Sequence, residues 1–178
     1  MTTGLKESRI DATGAVGQTS ETHEHRRPAL RLREILVPID FSEHAKAALS
    51  YAMLLASRFD ARITLLHVIE PPYAESDLLF PAAVAPDQGT LVAEHALAGV
   101  CKQEHFKPSL IGGRLVAHGI AHQVITQTAG NRKSDLVVIG THGRTGIARV
   151  VLGSTAEAVV RHAPCPVLVV PMPSSPGV

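Results

Sequence analysis

Four short apolar runs constrain the fold of this chain more than anything else in it: Ile35-Leu36-Val37-Pro38-Ile39, Ile63-Thr64-Leu65-Leu66-His67-Val68-Ile69, Leu136-Val137-Val138-Ile139 and Val167-Leu168-Val169-Val170. They are rich in β-branched residues and too short for helices, and none alternates strictly between apolar and polar. Strands read this way when both faces of a parallel sheet are covered. A weaker run over residues 110–117, interrupted by Gly112-Gly113, supplies a further strand between the second and third of these. Five strands alternating with four helical segments predict an α/β domain. Its architecture is an open, doubly wound, mostly parallel sheet with right-handed crossovers and helices on both faces.

The helical segments carry their own signals. Ser42 is a good N-cap, followed at helical spacing by Ala48, Leu49, Ala52, Leu55, Ala56 and Phe59. Residues 91–106 form a second helix with Ala93, Ala96, Leu97 and Val100 on one face. Gly119 opens a third, buried through Val124, Ile125, Thr128 and Ala129. A fourth runs from Ser154 to about His162 and stops at Pro164-Cys165-Pro166.

In sheets of this kind ligands bind outside the carboxyl ends of the strands, where the strand order reverses. The first strand closes on Asp40 and the fourth on Gly140, so if these strands are neighbours a carboxylate and a glycine loop face one crevice. That loop reads Gly140-x2-Gly143-x9-Gly153-Ser154. A helix start presents free N–H groups with partial positive charge, and glycines let another molecule's oxygens approach the main chain. Strand, glycine loop and helix N-terminus in this order suit a phosphate. The alternative is a glycine-rich surface turn that serves backbone geometry alone, which leaves the Gly153-Ser154 helix start unexplained.

On these residues the chain resembles the universal stress protein family, and within it the branch whose members bind ATP through this Gly-x2-Gly-x9-Gly-Ser/Thr pattern. The resemblance covers about residues 34–170. It includes Val37-Pro38-Ile39-Asp40-Phe41-Ser42, Leu66-His67-Val68 and Pro164-Cys165-Pro166-Val167-Leu168-Val169-Val170. It implies a five-stranded sheet in the order 3-2-1-4-5, of the adenine nucleotide alpha hydrolase-like type. It also implies that Asp40 contacts the ribose or lies beside the adenine, and that the Val68 backbone reads the adenine edge. The phosphates of ATP, or of ADP or AMP, with or without Mg²⁺, would rest on Gly140, Gly143, Gly153, Ser154 and Thr155. Each role has chemical support, since a carboxylate accepts from ribose hydroxyls and glycine N–H groups line anion sites. Asp40 has a plainer reading as a turn former. His142 and Arg144 lie inside the loop and either contact phosphate or stay in solvent, and Arg149 either joins them or makes a surface ion pair. Gly119-Ile120 replaces the Gly-Pro more usual in the family, which weakens the start of the third helix but not the nucleotide site.

The sequence favours binding over turnover. A hydrolytic P-loop needs Gly-x4-Gly-Lys-Ser/Thr, which is absent, and no second carboxylate is evident near Asp40 to hold Mg²⁺ strongly. The leading expectation is a regulatory stress-response protein acting through nucleotide binding and dimerisation. The alternatives are a slow ATPase or phosphotransferase using His142 or Ser154, with at most weak ATP hydrolysis, and a nucleotide-free scaffold.

Composition sets the remaining bounds. With 17 basic and 16 acidic side chains, no whole-protein field argues for nucleic acid or an anionic membrane. Two cysteines, Cys101 and Cys165, give neither a disulfide framework nor a metal pair. With no signal-like or membrane-spanning apolar run, a cytoplasmic protein is expected. Residues 1–33 read as a disordered or loosely attached tail in which His23 and His25 make a poor metal site, residues 34–172 as the domain, and residues 173–178 as a flexible C-terminus. Residues 73–89 form a long apolar-containing connection, either a lid or partner contact or an inert loop. His118 and His122 stand at zinc-pair spacing, but His118 falls at a strand end, so solvated or capping roles are the better reading and no metal is expected. The apolar edge strand Val167, Leu168, Val169 and Val170 predicts a homodimer.

Overall fold

The computed structural model describes residues 31–71, 88–100, 107–141 and 152–172. Five strands and four helices alternate: β1 (Glu34–Pro38), α1 (Glu43–Phe59), β2 (Arg62–Ile69), α2 (Gln88–Val100), β3 (Ile111–His118), α3 (Ala121–Arg132), β4 (Leu136–Gly140), α4 (Ser154–His162) and β5 (Val167–Val170). All strand pairs are parallel and the order is β3-β2-β1-β4-β5. The order reverses between β1 and β4, as the sequence requires if Asp40 and Gly140 are to share a crevice.

Two apolar cores lie on the two faces of this sheet. Ile35, Val37, Ile63, Leu65 and Val138 pack with α1 and α2 residues such as Leu49, Ala52 and Leu97. Leu36, Leu66, Val137 and Ile139 pack with Ile125 and Ala129 of α3 and Ala156 and Val159 of α4. Each central strand therefore buries successive side chains on opposite faces, which is why its sequence is a continuous apolar run. The buried face of α1 is built on Ala45, Ala48, Ala52 and Ala56 with Leu49 and Met53. Its small side chains bring the helix close to the sheet. That closeness shows at Gly140, where a Cβ would stand 2.8 Å from the main chain of His44. Any larger residue at the end of β4 would push the start of α1 away.

At the amino end of the sheet the connections are closed by side chains. Asp135 Oδ2 accepts the N–H groups of Arg33 and Glu34, at 2.7 and 3.0 Å. The Glu34 carboxylate accepts from Arg132 Nε at 3.1 Å and from the buried Thr64 hydroxyl.

Some expectations shift by a residue or two. Gly119 does not open α3: it adopts φ +138°, a region that disfavours L side chains, and the helix begins at Ala121 after Ile120. The third strand begins at Ile111, after a short 3-10 turn over Pro108–Leu110, and Gly112-Gly113 sits at a register shift opposite Ile63 and Thr64. Phe59, expected on the buried face of α1, is 39% exposed at its last turn. α2 starts at Gln88, earlier than its periodicity predicts, and residues 101–106 lie outside the described residues. So do residues 1–30, with His23 and His25, and the connection over 72–87.

Candidate functional site

The carboxyl ends of β1, β2 and β4 open into a cavity of about 590 Å³, a size ordinary for small-molecule sites. Asp40, Val68, Gly140, Gly153, Ser154 and Thr155 all line it. Six sequence-predicted residues from four separate segments thus meet in one place. His142, Gly143, Arg144 and Arg149 lie outside the described residues.

Asp40 holds its place through the turn that starts α1. Its Oδ1 accepts the Ser42 N–H at 3.0 Å and the Ser42 hydroxyl at 2.6 Å. The Ser42 oxygen in turn accepts the Ala45 N–H at 3.2 Å as the N-cap of α1. The turn-forming role is therefore real, and it fixes the carboxylate on the cavity wall. Between them Phe41 takes φ 67°, a left-handed conformation that costs a non-glycine residue on the order of 1 kcal/mol. Its ring packs against that of His67, centroids 4.6 Å apart.

The opposite wall is the start of α4. Gly153 is the N-cap residue, and having no side chain it offers the helix no cap of its own. Its φ of −70° is open to any residue, so conformation alone does not call for glycine. The Gly153 N–H donates to the Thr141 carbonyl at 2.7 Å, and the Thr141 N–H to that of Val170 at 3.1 Å. The two ends of the glycine loop are thereby pinned together beside β4. The N–H groups of Ser154, Thr155 and Ala156 belong to the first turn, where no intrahelical acceptor exists, and all three residues line the cavity.

The start of α3 makes a third border. Ile120 offers no capping side chain, and Glu70, beyond the end of β2, accepts the Ala121 N–H at 2.9 Å instead. Glu70, Ala121, Ile125, His67 and Thr141 line the cavity without having been singled out as site residues by the sequence. An ionisable side chain within the buried run Ile63–Ile69 was the available signal for His67. Nothing local marks Glu70 as a cap, because the helix it serves begins 51 residues later.

Away from the cavity, burial pushes the Cys165 thiol up from its usual range, with the negative charge of Asp135 acting in the same direction. Such a thiol is poorly ionised and unsuited to nucleophilic chemistry. Among the described residues no group of three or more His, Cys, Asp or Glu could hold a metal ion. His118 ends β3 and its Nε2 lies 3.0 Å from the Thr90 hydroxyl, whereas His122 belongs to α3. No helix among the described residues is long and apolar enough to cross a membrane.

A five-stranded parallel sheet with a crevice at its switch point, bordered by a strand-end aspartate and a helix start at a glycine, defines a class of doubly wound α/β domains. Within that class, the sequence model of the universal stress protein family matches residues 31–171, and the chain belongs to this family. It is similar to a universal stress protein of Methanocaldococcus jannaschii, with 32% identity over 146 residues covering 79% of this chain and 83% of that protein. Among solved structures it is similar to the universal stress protein UspA from Lactobacillus plantarum, at 31% identity and a TM-score of 0.62, covering 79% of this chain and 98% of the other. A universal stress protein solved in complex with cAMP shares the fold at 20% identity and a TM-score of 0.56, over 79% of this chain and 97% of its own.

Proposed function

We propose that this protein binds an adenine nucleotide, ATP in the first instance, in the crevice between β1 and β4, and acts as a regulatory member of its family through that binding. The observation that carries the reading is that the start of α4, whose N-cap Gly153 brings no side chain, lines the same cavity as Asp40 and Val68. Phosphates would take the N–H groups of Ser154, Thr155 and Ala156 together with the glycines of the loop, supported by the helix dipole. The Asp40 carboxylate would accept from ribose hydroxyls, and the Val68 N–H and carbonyl would meet the base edge. A main-chain donor and acceptor side by side match N1 and the 6-amino group of adenine, and mismatch the reversed pattern of guanine. The relative solved with cAMP supports the reading to the extent that the same fold holds an adenine nucleotide in that protein.

His142, Gly143 and Arg144 belong to this reading as loop contacts to the phosphates. The chain's own residues bind and orient, and the reading is one of retention because the sequence carries no Gly-x4-Gly-Lys-Ser/Thr loop. Mg²⁺, where present, would be held chiefly by the nucleotide. A homodimer through the β5 edge belongs to the same proposal, because Val167, Leu168 and Val169 are only half-buried on an edge that no strand among the described residues pairs.

The test begins with the purified protein, denatured and assayed for retained adenine nucleotide, followed by calorimetric titration of stripped protein with ATP, ADP, AMP and cAMP. Saturable binding of at least one at one site per chain is expected. Absence of any binding contradicts the proposal, and phosphate release well above that of a Gly153→Val control replaces retention with turnover. Sedimentation at micromolar concentration is expected to show a dimer, and a monomer there removes the β5 pairing.

A further inference from the structure

The β1–β2 ladder stops earlier than its sequence does, and a side chain stands where the next main-chain bond would fall. The register ends at Pro38 opposite Leu66, and the last main-chain bond between the strands is from the Ile39 N–H to the Leu66 carbonyl, at 2.8 Å. A regular parallel ladder continues with the next rung, from the Val68 N–H to the Ile39 carbonyl. In its place the Ile39 carbonyl lies 2.6 Å from His67 Nδ1. A carbonyl only accepts, so the proton sits on Nδ1. His67 is 8% exposed and its ring is packed against Phe41, whose left-handed backbone holds the segment from Ile39 to Ser42 in a sharp bend.

The direction in which Val68 faces follows from its neighbours. The Gly119 N–H bonds to the Ile69 carbonyl at 3.1 Å, so Ile69 presents its main chain to the β3 side. Leu66 presents its main chain to β1, and because main-chain groups alternate along a strand, Val68 does the same. There β1 has already bent away, and the cavity begins.

We propose that His67 is a positioning residue for base recognition: by taking the Ile39 carbonyl it withholds the next rung and leaves the Val68 N–H and carbonyl facing the cavity as a donor–acceptor pair. The same bond anchors the residue before Asp40, so one imidazole sets both the base-reading edge and the approach of the carboxylate. This inference rests on the adenine-nucleotide reading above and adds to it the residue that keeps the reading edge open.

Amide hydrogen exchange followed by NMR tests it on the full chain. In nucleotide-free wild type the Val68 amide exchanges at least about tenfold faster than that of Leu66, which faces the same strand within the ladder, and it slows on adding ATP. In His67→Leu the Ile39 carbonyl returns to the ladder and the Val68 amide becomes protected without nucleotide. Binding supplies the second readout, with inosine triphosphate as the competitor because its base reverses the donor and acceptor at N1 and position 6. Wild type prefers ATP by about tenfold or more, His67→Leu by less than about threefold, and His67→Asn, which keeps a side-chain N–H near the Nδ1 position, recovers the preference. Should His67→Leu fail to fold, the wild-type exchange ratio and His67→Asn still decide. Val68 and Leu66 amides equally protected in nucleotide-free wild type, or an unchanged preference in His67→Leu, overturns the role of His67 while leaving nucleotide binding intact. Wild type that binds no adenine nucleotide overturns both.

Discussion

Of the helix starts that border the cavity, two are finished in opposite ways. α1 begins with Ser42, whose hydroxyl oxygen accepts the Ala45 N–H and whose own proton goes to Asp40. α4 begins with Gly153, which has no side chain to offer its first-turn N–H groups. A side-chain cap contributes about 1 kcal/mol over alanine and a few tenths over glycine, so a glycine N-cap at α4 forgoes a little stability that the neighbouring helix start keeps. The difference is what the proposed nucleotide site rests on. The capped start fixes a carboxylate in place, and the uncapped one keeps its donors for something else.

The comparison can be attacked from either side, beginning with the change of largest effect. Gly140→Val places a side chain where the His44 main chain already stands at 2.8 Å from a Cβ, and it should cost about 3 kcal/mol in chemical denaturation. A loss below about 1 kcal/mol would mean that the α1 start is not seated on β4 as described.

Gly153→Asp gives α4 the cap it lacks. The expected result is an exchange of function for stability: ATP affinity falls about a hundredfold, equivalent to ~2.7 kcal/mol, while unfolding free energy rises by about 0.5 kcal/mol. Calorimetry and denaturation measured on the same preparation check both halves. Unchanged affinity would show that the bare N-terminus is not where phosphates sit.

Ser42→Ala removes the cap from α1 and should cost about 1 kcal/mol of stability. It also releases one partner of Asp40, so ATP affinity should fall by about threefold. The smallest effect is expected at Glu70, which caps α3 from outside. Glu70→Gln should lower stability by about 0.5 kcal/mol through a weaker, uncharged cap. Removing this negative charge from the cavity wall should raise ATP affinity about twofold at low salt, and added salt should erase the gain. A loss of affinity instead would make Glu70 a ligand contact.

Much of this arrangement was legible in the sequence, and the parts that were not have physical reasons. Where the apolar runs stop brought Asp40 and Gly140 to one crevice only if their strands were neighbours; that strand order, and the places of Val68, Gly153, Ser154 and Thr155 beside them, were what the family resemblance implied. Ser42 was readable as a cap because capping is local. Glu70 was not, because its partner helix is far along the chain. The first strand looked as though it ran through Ile39, since Ile39 is apolar and buried. It ends at Pro38 because a histidine on the next strand takes the following carbonyl, a long-range event without a local signature. Gly119 resembled a helix opener, yet its positive φ makes it a turn residue and moves the start of α3 to Ala121. In Gly140 the sequence suggested room for a ligand's oxygens, whereas the nearest demand on that missing side chain is the main chain of α1.

The central claim is that one nucleotide lies between the capped and the uncapped helix starts, and amide chemical-shift mapping during titration with ATP tests it most directly. The account predicts saturable shifts that are largest at Asp40, Val68, Gly153, Ser154 and Thr155, and small along β5 and the outer face of α2. Shifts that cluster on those outer elements, or none up to millimolar ATP, would contradict it.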